Sequence, residues 1–139
     1  MTQQWELYQG YALFDEPDVV HPTWLDIQVA LLGIQGKEGD EVQLRLVGKG
    51  YLLAGGGESG RYLVIYKTED HKQPSLTLTD PSLTGPDVIL TTQTPAPYPA
   101  RYAVSFPLMI SVFEHFYREG DLPKDVHWEI GRTGREMSW

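Results

Sequence analysis

The sequence predicts an α+β fold: a mostly antiparallel sheet of about six to seven strands with two helices packed on one face. Three observations lead to it. Apolar residues recur at helical spacing in two separate stretches, starting near Thr23 and near Ser105. Between those stretches the apolar period switches to two. The links between the β-prone runs are short and rich in Gly, Pro and Asp, which suits antiparallel neighbours rather than long crossovers. All 139 residues are expected to form one domain, large enough to bury a core without staples.

Each element has a local reason. Residues 5–14 are aromatic-rich and read as a first strand, ended by Asp15-Glu16-Pro17-Asp18 because proline removes a ladder donor and the acids favour a turn. Thr23 is placed to cap a helix, with Asp26 three residues on as in a capping box. Trp24, Ile27, Ala30, Leu31 and Ile34 then share a core-facing side, and Gly33 and Gly36 stop the helix. Val42, Leu44 and Leu46 alternate with Gln43 and Arg45, the pattern of a half-buried strand. Gly48-Lys49-Gly50 turns the chain into a returning strand over residues 51–54. Residues 55–60 read as a flexible glycine loop and residues 61–67 as a third β run. Leu76 and Leu78 alternate with threonines, and residues 88–92 are again β-prone. Residues 94–99 hold three prolines and cannot join a central strand.

The C-terminal block is the clearest. Tyr102 and Val104 extend a short strand, Ser105 caps a helix, and Pro107 sits in its first turn. Met109, Val112, Phe113 and Phe116 form one apolar stripe, with Ser111, Glu114, His115 and Arg118 toward water. Gly120 ends the helix, Asp121-Leu122-Pro123 turns the chain, and Val126, Trp128 and Ile130 alternate with His127 and Glu129 in a last strand.

Composition narrows the function classes. The chain has no cysteine, which removes disulfides, thiol catalysis and cysteine metal sites, and fits a reducing cytoplasm. The start lacks a basic region followed by an apolar one, so no secretory leader is expected. No apolar run approaches the roughly 20 residues that span a bilayer. A soluble cytoplasmic protein with no membrane partner is therefore expected. The formal net charge is −8, and residues 1–40 carry seven acids against Lys37 alone, a net −6. Phosphate ligands need Lys and Arg, so nucleic acid is not the expected partner; a basic protein is.

No catalytic pattern outweighs a structural one. The glycine run at 55–60 lacks a Gly-Lys-Ser/Thr ending and leads into a strand, whereas a phosphate cradle needs a helix N-terminus. His21, His71, His115 and His127 have no ligand-spaced partner, so no metal and no cofactor are expected. His127 and Glu129 share a strand face and read as a surface pair. No serine sits in a nucleophile elbow. Trp5, Tyr8, Tyr11, Tyr51, Tyr62 and Tyr66 read as core strand residues rather than interface anchors.

The run from Val104 to Glu129 carries a resemblance. An apolar-spaced helix with an aromatic ahead of a Gly-x-x-Pro turn, closing on a strand with Trp and an acid, appears here as Phe116, Gly120, Pro123, Trp128 and Glu129. The glycine-rich hairpin around residues 51–64 and the helix from Thr23 fit the same pattern. The chain resembles the type-one immunity proteins of bacterial polymorphic toxin systems, found in contact-dependent inhibition and type VI effector loci. That resemblance implies a non-enzymatic protein that binds a cognate toxin C-terminal domain one to one, often a nuclease or deaminase with a basic cleft. It implies structural roles for Gly120, Pro123 and Trp128. Toxin contact is expected at the acids Asp15, Glu16, Asp18, Glu38 and Asp40, with Glu58, Glu69 and Asp70 from loops. Two other classes stay open at this level: a small-molecule-binding or enzymatic domain using the sheet face away from the helices, and a subunit of a larger assembly.

Overall fold

A computed structural model describes residues 3–10 and 16–131 of the chain. The elements run β1 Trp5–Gln9, β2 Val19–Val20, α1 Trp24–Leu32, β3 Val42–Leu46, β4 Gly50–Gly56, β5 Arg61–Thr68, β6 Leu76–Thr79, β7 Val88–Thr91, β8 Pro95–Tyr98, β9 Val104–Ser105, α2 Phe106–Glu119 and β10 His127–Ile130. The fold is α+β. One antiparallel sheet has the order β10-β6-β5-β4-β3-β1-β2, with β9 sharing with β6 the far edge of β5. A separate hairpin pairs β7 with β8.

Both helices pack on the same face. Alternate strand residues there (Leu7, Val42, Leu44, Leu52, Val64 and Leu78) meet Ile27 and Leu31 of α1 and Met109, Val112, Phe113 and Phe116 of α2 in one core. The β7–β8 hairpin covers part of the opposite face, where Leu63 and Ile65 of β5 join Leu90, Tyr102 and Ala103 in a second cluster. The sheet face away from the helices is therefore not an open platform at β5.

Caps fix the helix ends. At α1 the Thr23 hydroxyl accepts from the Asp26 N–H at 3.1 Å, while the Asp26 carboxylate accepts from the Thr23 N–H at 2.8 Å. This reciprocal box satisfies two donors that a bare helix start leaves orphaned. At α2 the Ser105 hydroxyl accepts from the Leu108 N–H, and Gly120 closes the helix in a left-handed conformation, φ 76°. The two helices are tied together. Trp24 stacks on Tyr117 with ring centroids 6.1 Å apart, and the Tyr117 hydroxyl donates to the Pro22 carbonyl at 2.7 Å.

Several expectations need correcting. The first strand ends at Gln9 rather than continuing to residue 14, and residues 11–15 lie outside the described part. Strand β3 is largely buried on both faces, because Gln43 is enclosed as well as Val42, Leu44 and Leu46, and Glu41 just ahead of the strand is enclosed too. Gly55 and Gly56 belong to β4, paired with Leu63 and Tyr62; only residues 57–60 form the turn. The three-proline stretch stays out of the central sheet, as expected, and forms β8 of the peripheral hairpin, where missing donors are tolerated. Tyr102 lies in a short 3₁₀ turn ahead of β9. Glu129 pairs with Arg101 and accepts from the Tyr102 hydroxyl at 2.9 Å. The sheet holds eight strands: β9 stands where a short strand is expected at Val104, while the two-residue strand β2 gives no periodic signal in the sequence.

One glycine is required by close approach. Gly57 has φ 102°, and an added Cβ would stand 2.9 Å from the Ile34 carbonyl oxygen and 3.1 Å from the Gly36 nitrogen. Both are backbone atoms of the α1–β3 loop, so neither can swing away. Gly57→Ala should cost roughly 2 kcal/mol, by a strained φ and a displaced loop together. Urea unfolding would check this, and a loss below about 0.5 kcal/mol would show that the loop is not held there.

Candidate functional site

The fold sorts the predicted acids into two groups. At one end of the sheet β1 finishes, β3 begins and β4 finishes. Asp18 stands there, its carboxylate accepting from the Gln9 N–H at 2.6 Å. So does Asp40, whose carboxylate accepts from the Gln35 N–H at 2.5 Å, three residues past the end of α1. Glu58 joins them. Its side chain lies against Gly36, and one carboxylate oxygen accepts from the Thr91 hydroxyl. Glu16 and Glu38 are exposed and follow by chain adjacency, two residues from Asp18 and Asp40 respectively. Asp15 lies outside the described residues.

Glu69 and Asp70 do not join this group. They sit past the end of β5, beside the β3–β4 turn at the opposite end of β3. Glu69 pairs with Arg45, which also meets Glu6 at 3.1 Å, and it accepts from the Gly48 N–H. Its charge is partly offset in place, by a guanidinium shared with Glu6. Asp70 is exposed, and the Lys72 N–H holds its carboxyl below the usual range. Gly120, Pro123 and Trp128 lie elsewhere again. Gly120 and Pro123 are buried, and Trp128 packs against the main core while its indole N–H points to the Pro123 carbonyl at 3.4 Å.

The electrostatics of the first group are unusual for a helix terminus. The C-terminal end of α1 points into it, and α1 has no basic residue in its last turn. A helix C-terminus carries about half a negative charge. Here Asp40, with Glu38 beyond it, adds to that field instead of offsetting it. Such an arrangement works against stability and favours a cation brought from outside.

Sequence reasoning missed two features near this end. The first is the outward face of α1. Leu25, Val29 and Leu32 are 67%, 61% and 64% exposed, and Val20 of β2 is 52% exposed. The signal was present, since α1 reads WLDIQVALL with Asp26 and Gln28 as its only polar residues, more apolar than one buried face requires. The second is Glu41. It is 3% exposed, its Oε1 has no hydrogen-bond partner, and burial pushes its carboxyl up to about 7. A carboxyl with that affinity for protons, next to Asp40, is held neutral by desolvation in mildly acidic conditions.

Among the described residues no group of three or more His, Asp or Glu side chains gathers as a metal would need. A shallow depression of about 410 Å³ lies at the end of α2, lined by His115, Glu119, Asp121, Leu122, Lys124 and Asp125. Within it His115 Nε2 stands 3.0 Å from Asp121 Oδ1. No described helix is long and apolar enough to cross a membrane. No protein-family model matches the chain, and neither a curated protein nor a solved structure shows significant similarity to it.

Proposed function

We propose that this chain is a non-enzymatic immunity protein that binds one cognate bacterial toxin domain in the cytoplasm and neutralises it. The toxin class is a nuclease or deaminase acting on nucleic acid. One observation carries the reading: Asp18, Asp40 and Glu58, with Glu16 and Glu38 beside them, gather at the sheet end into which the α1 C-terminus points. A nucleic-acid enzyme presents a basic cleft to its substrate, and an acidic pole of this kind competes for that cleft. The C-terminal pattern of Phe116, Gly120, Pro123, Trp128 and Glu129 supports the same class by resemblance.

Co-expression with the C-terminal domain of a toxin encoded immediately upstream tests the reading. A one-to-one complex and loss of the toxin's activity at equimolar ratio are expected. Absence of a complex, with the toxin fully active at excess immunity protein, would sink it. The charge term has its own prediction. Replacing Glu16 and Glu38 together by lysine should slow association by about tenfold at low salt and flatten its salt dependence. Stopped-flow rates across a salt series would show it, and unchanged rates would move the interface away from this end.

A further inference from the structure

We propose that the outward face of α1 is the anchoring ridge of the partner interface, with Leu25, Val29 and Leu32 inserting into an apolar groove that is rimmed by Lys and Arg. The inference rests on the reading of a basic toxin domain as partner and adds the surface that would hold it.

The three residues stand at i, i+4 and i+7, the spacing by which a helix is read in a groove. All three are more than half exposed, while Ile27, Ala30 and Leu31 on the inner side are buried. The core therefore makes no use of the ridge. Its backbone is nonetheless preformed, held by the Thr23–Asp26 box at one end and by Trp24 on Tyr117 at the side. A preformed helix presents its anchors without an ordering cost at binding.

Charge selects the occupant. The helix is about 13 Å long, so every point on the ridge lies within about 7 Å of one of its ends. Asp26 flanks Val29 at i, i+3, and Asp40 sits beyond the C-terminal end. Asp26 lies well within the Debye length of about 8 Å at physiological salt, and the C-terminal end of the helix adds its own negative field, so a partner on the ridge feels negative charge. A second copy of this chain would set acid against acid. An anionic lipid surface meets the same repulsion, and membrane-surface helices carry Lys and Arg on the polar side, whereas α1 carries Asp26 and Gln28. A protein groove with apolar walls and a basic rim fits both the ridge and its border.

The probe is a synthetic amphipathic peptide of leucine and lysine, about 18 residues long so that it forms a helix, titrated into the ¹⁵N-labelled full chain. An all-lysine peptide of equal charge serves as control. The leucine–lysine peptide should shift the amide resonances of residues 24–33 and bind at least about tenfold more tightly than the control. The triple variant Leu25→Ser, Val29→Ser, Leu32→Ser should lose that advantage while its thermal midpoint stays near wild type, because these side chains are not in the core. Equal binding of the two peptides, or a triple variant that binds like wild type, overturns the proposal. So does a wild-type dimer that the triple variant dissolves. The co-encoded toxin domain separates the two readings. If it binds wild type and triple variant alike, the ridge falls and the toxin reading stands. If it ignores wild type while the peptide binds through the ridge, the toxin reading falls and the ridge stands.

Discussion

Phe116→Ala should lower the unfolding free energy by about 4 kcal/mol. Phe116 is fully buried, and its ring meets Trp5 of β1 edge-on, with centroids 5.0 Å apart at 89°. It also meets Tyr66 of β5, with centroids 5.7 Å apart at 77°. One side chain therefore joins α2 to two strands that are three places apart in the sheet order. Truncation removes the transfer free energy of the ring, leaves a cavity walled by two rigid aromatics, and loses two edge-to-face contacts of about 1 kcal/mol each. Total stabilities of domains this size lie in the range of roughly 5–15 kcal/mol, so the variant should be near its folding threshold at 37 °C. Urea titration followed by tryptophan fluorescence reads the change. A loss under about 1.5 kcal/mol would mean that α2 does not pack on β1 and β5 as described.

Glu41→Gln should stabilise the protein at neutral and alkaline pH by about 3 kcal/mol and change little near pH 4. The side chain is enclosed just ahead of β3, and burial lifts its carboxyl from the usual 4.5 to about 7. The folded state thus binds this proton more tightly than the unfolded state does. The stability it contributes is complete below about 4.5 and is lost as pH rises through about 7. At about 1.36 kcal/mol per pH unit between those values, the loss is on the order of 3 kcal/mol. Asp70 and Asp80 act in the opposite sense. The Lys72 N–H and the Ser82 hydroxyl hold their carboxyls below the usual 3.8, so their contribution is present above that range and lost in acid. Wild type should therefore be most stable near pH 5, with a falling limb that Glu41→Gln removes. Chemical unfolding of both chains at pH 4 and pH 8 makes the comparison. Equal pH profiles would show that Glu41 is solvated or paired in solution.

How much of this was legible in the sequence depended on how local the cause was. The two helices, their caps at Thr23 and Ser105 and the stop at Gly120 follow from bonds and conformations within a few residues, so spacing alone located them. Strand β3 was found by its period, but the burial of its second face was not, because Gln43, and Glu41 just ahead of it, look like solvent-facing residues in any window. Their enclosure is set by tertiary packing, which overrides the polar pattern. The short strand β2, which no sequence pattern marks, exists only through pairing to β1. The acids show the same divide. Their bias to the first forty residues is visible in composition, but no sequence window reveals that Asp18, Asp40 and Glu58 share one end of the sheet while Glu69 is tied to Arg45 at the other. The α1 ridge was readable in principle, since WLDIQVALL has apolar residues all round, and attention to the core-facing set hid the rest.

Amide hydrogen exchange of the chain alone and in complex with the co-encoded toxin domain bears most directly on the proposed interface. If the acidic end and the α1 ridge hold the partner, new protection should concentrate in residues 24–40 and around residues 57–58, with little change at residues 69–72 or in β10. Protection confined to β10, β6 or the Glu69 end, with α1 exchanging as in the free chain, would contradict it.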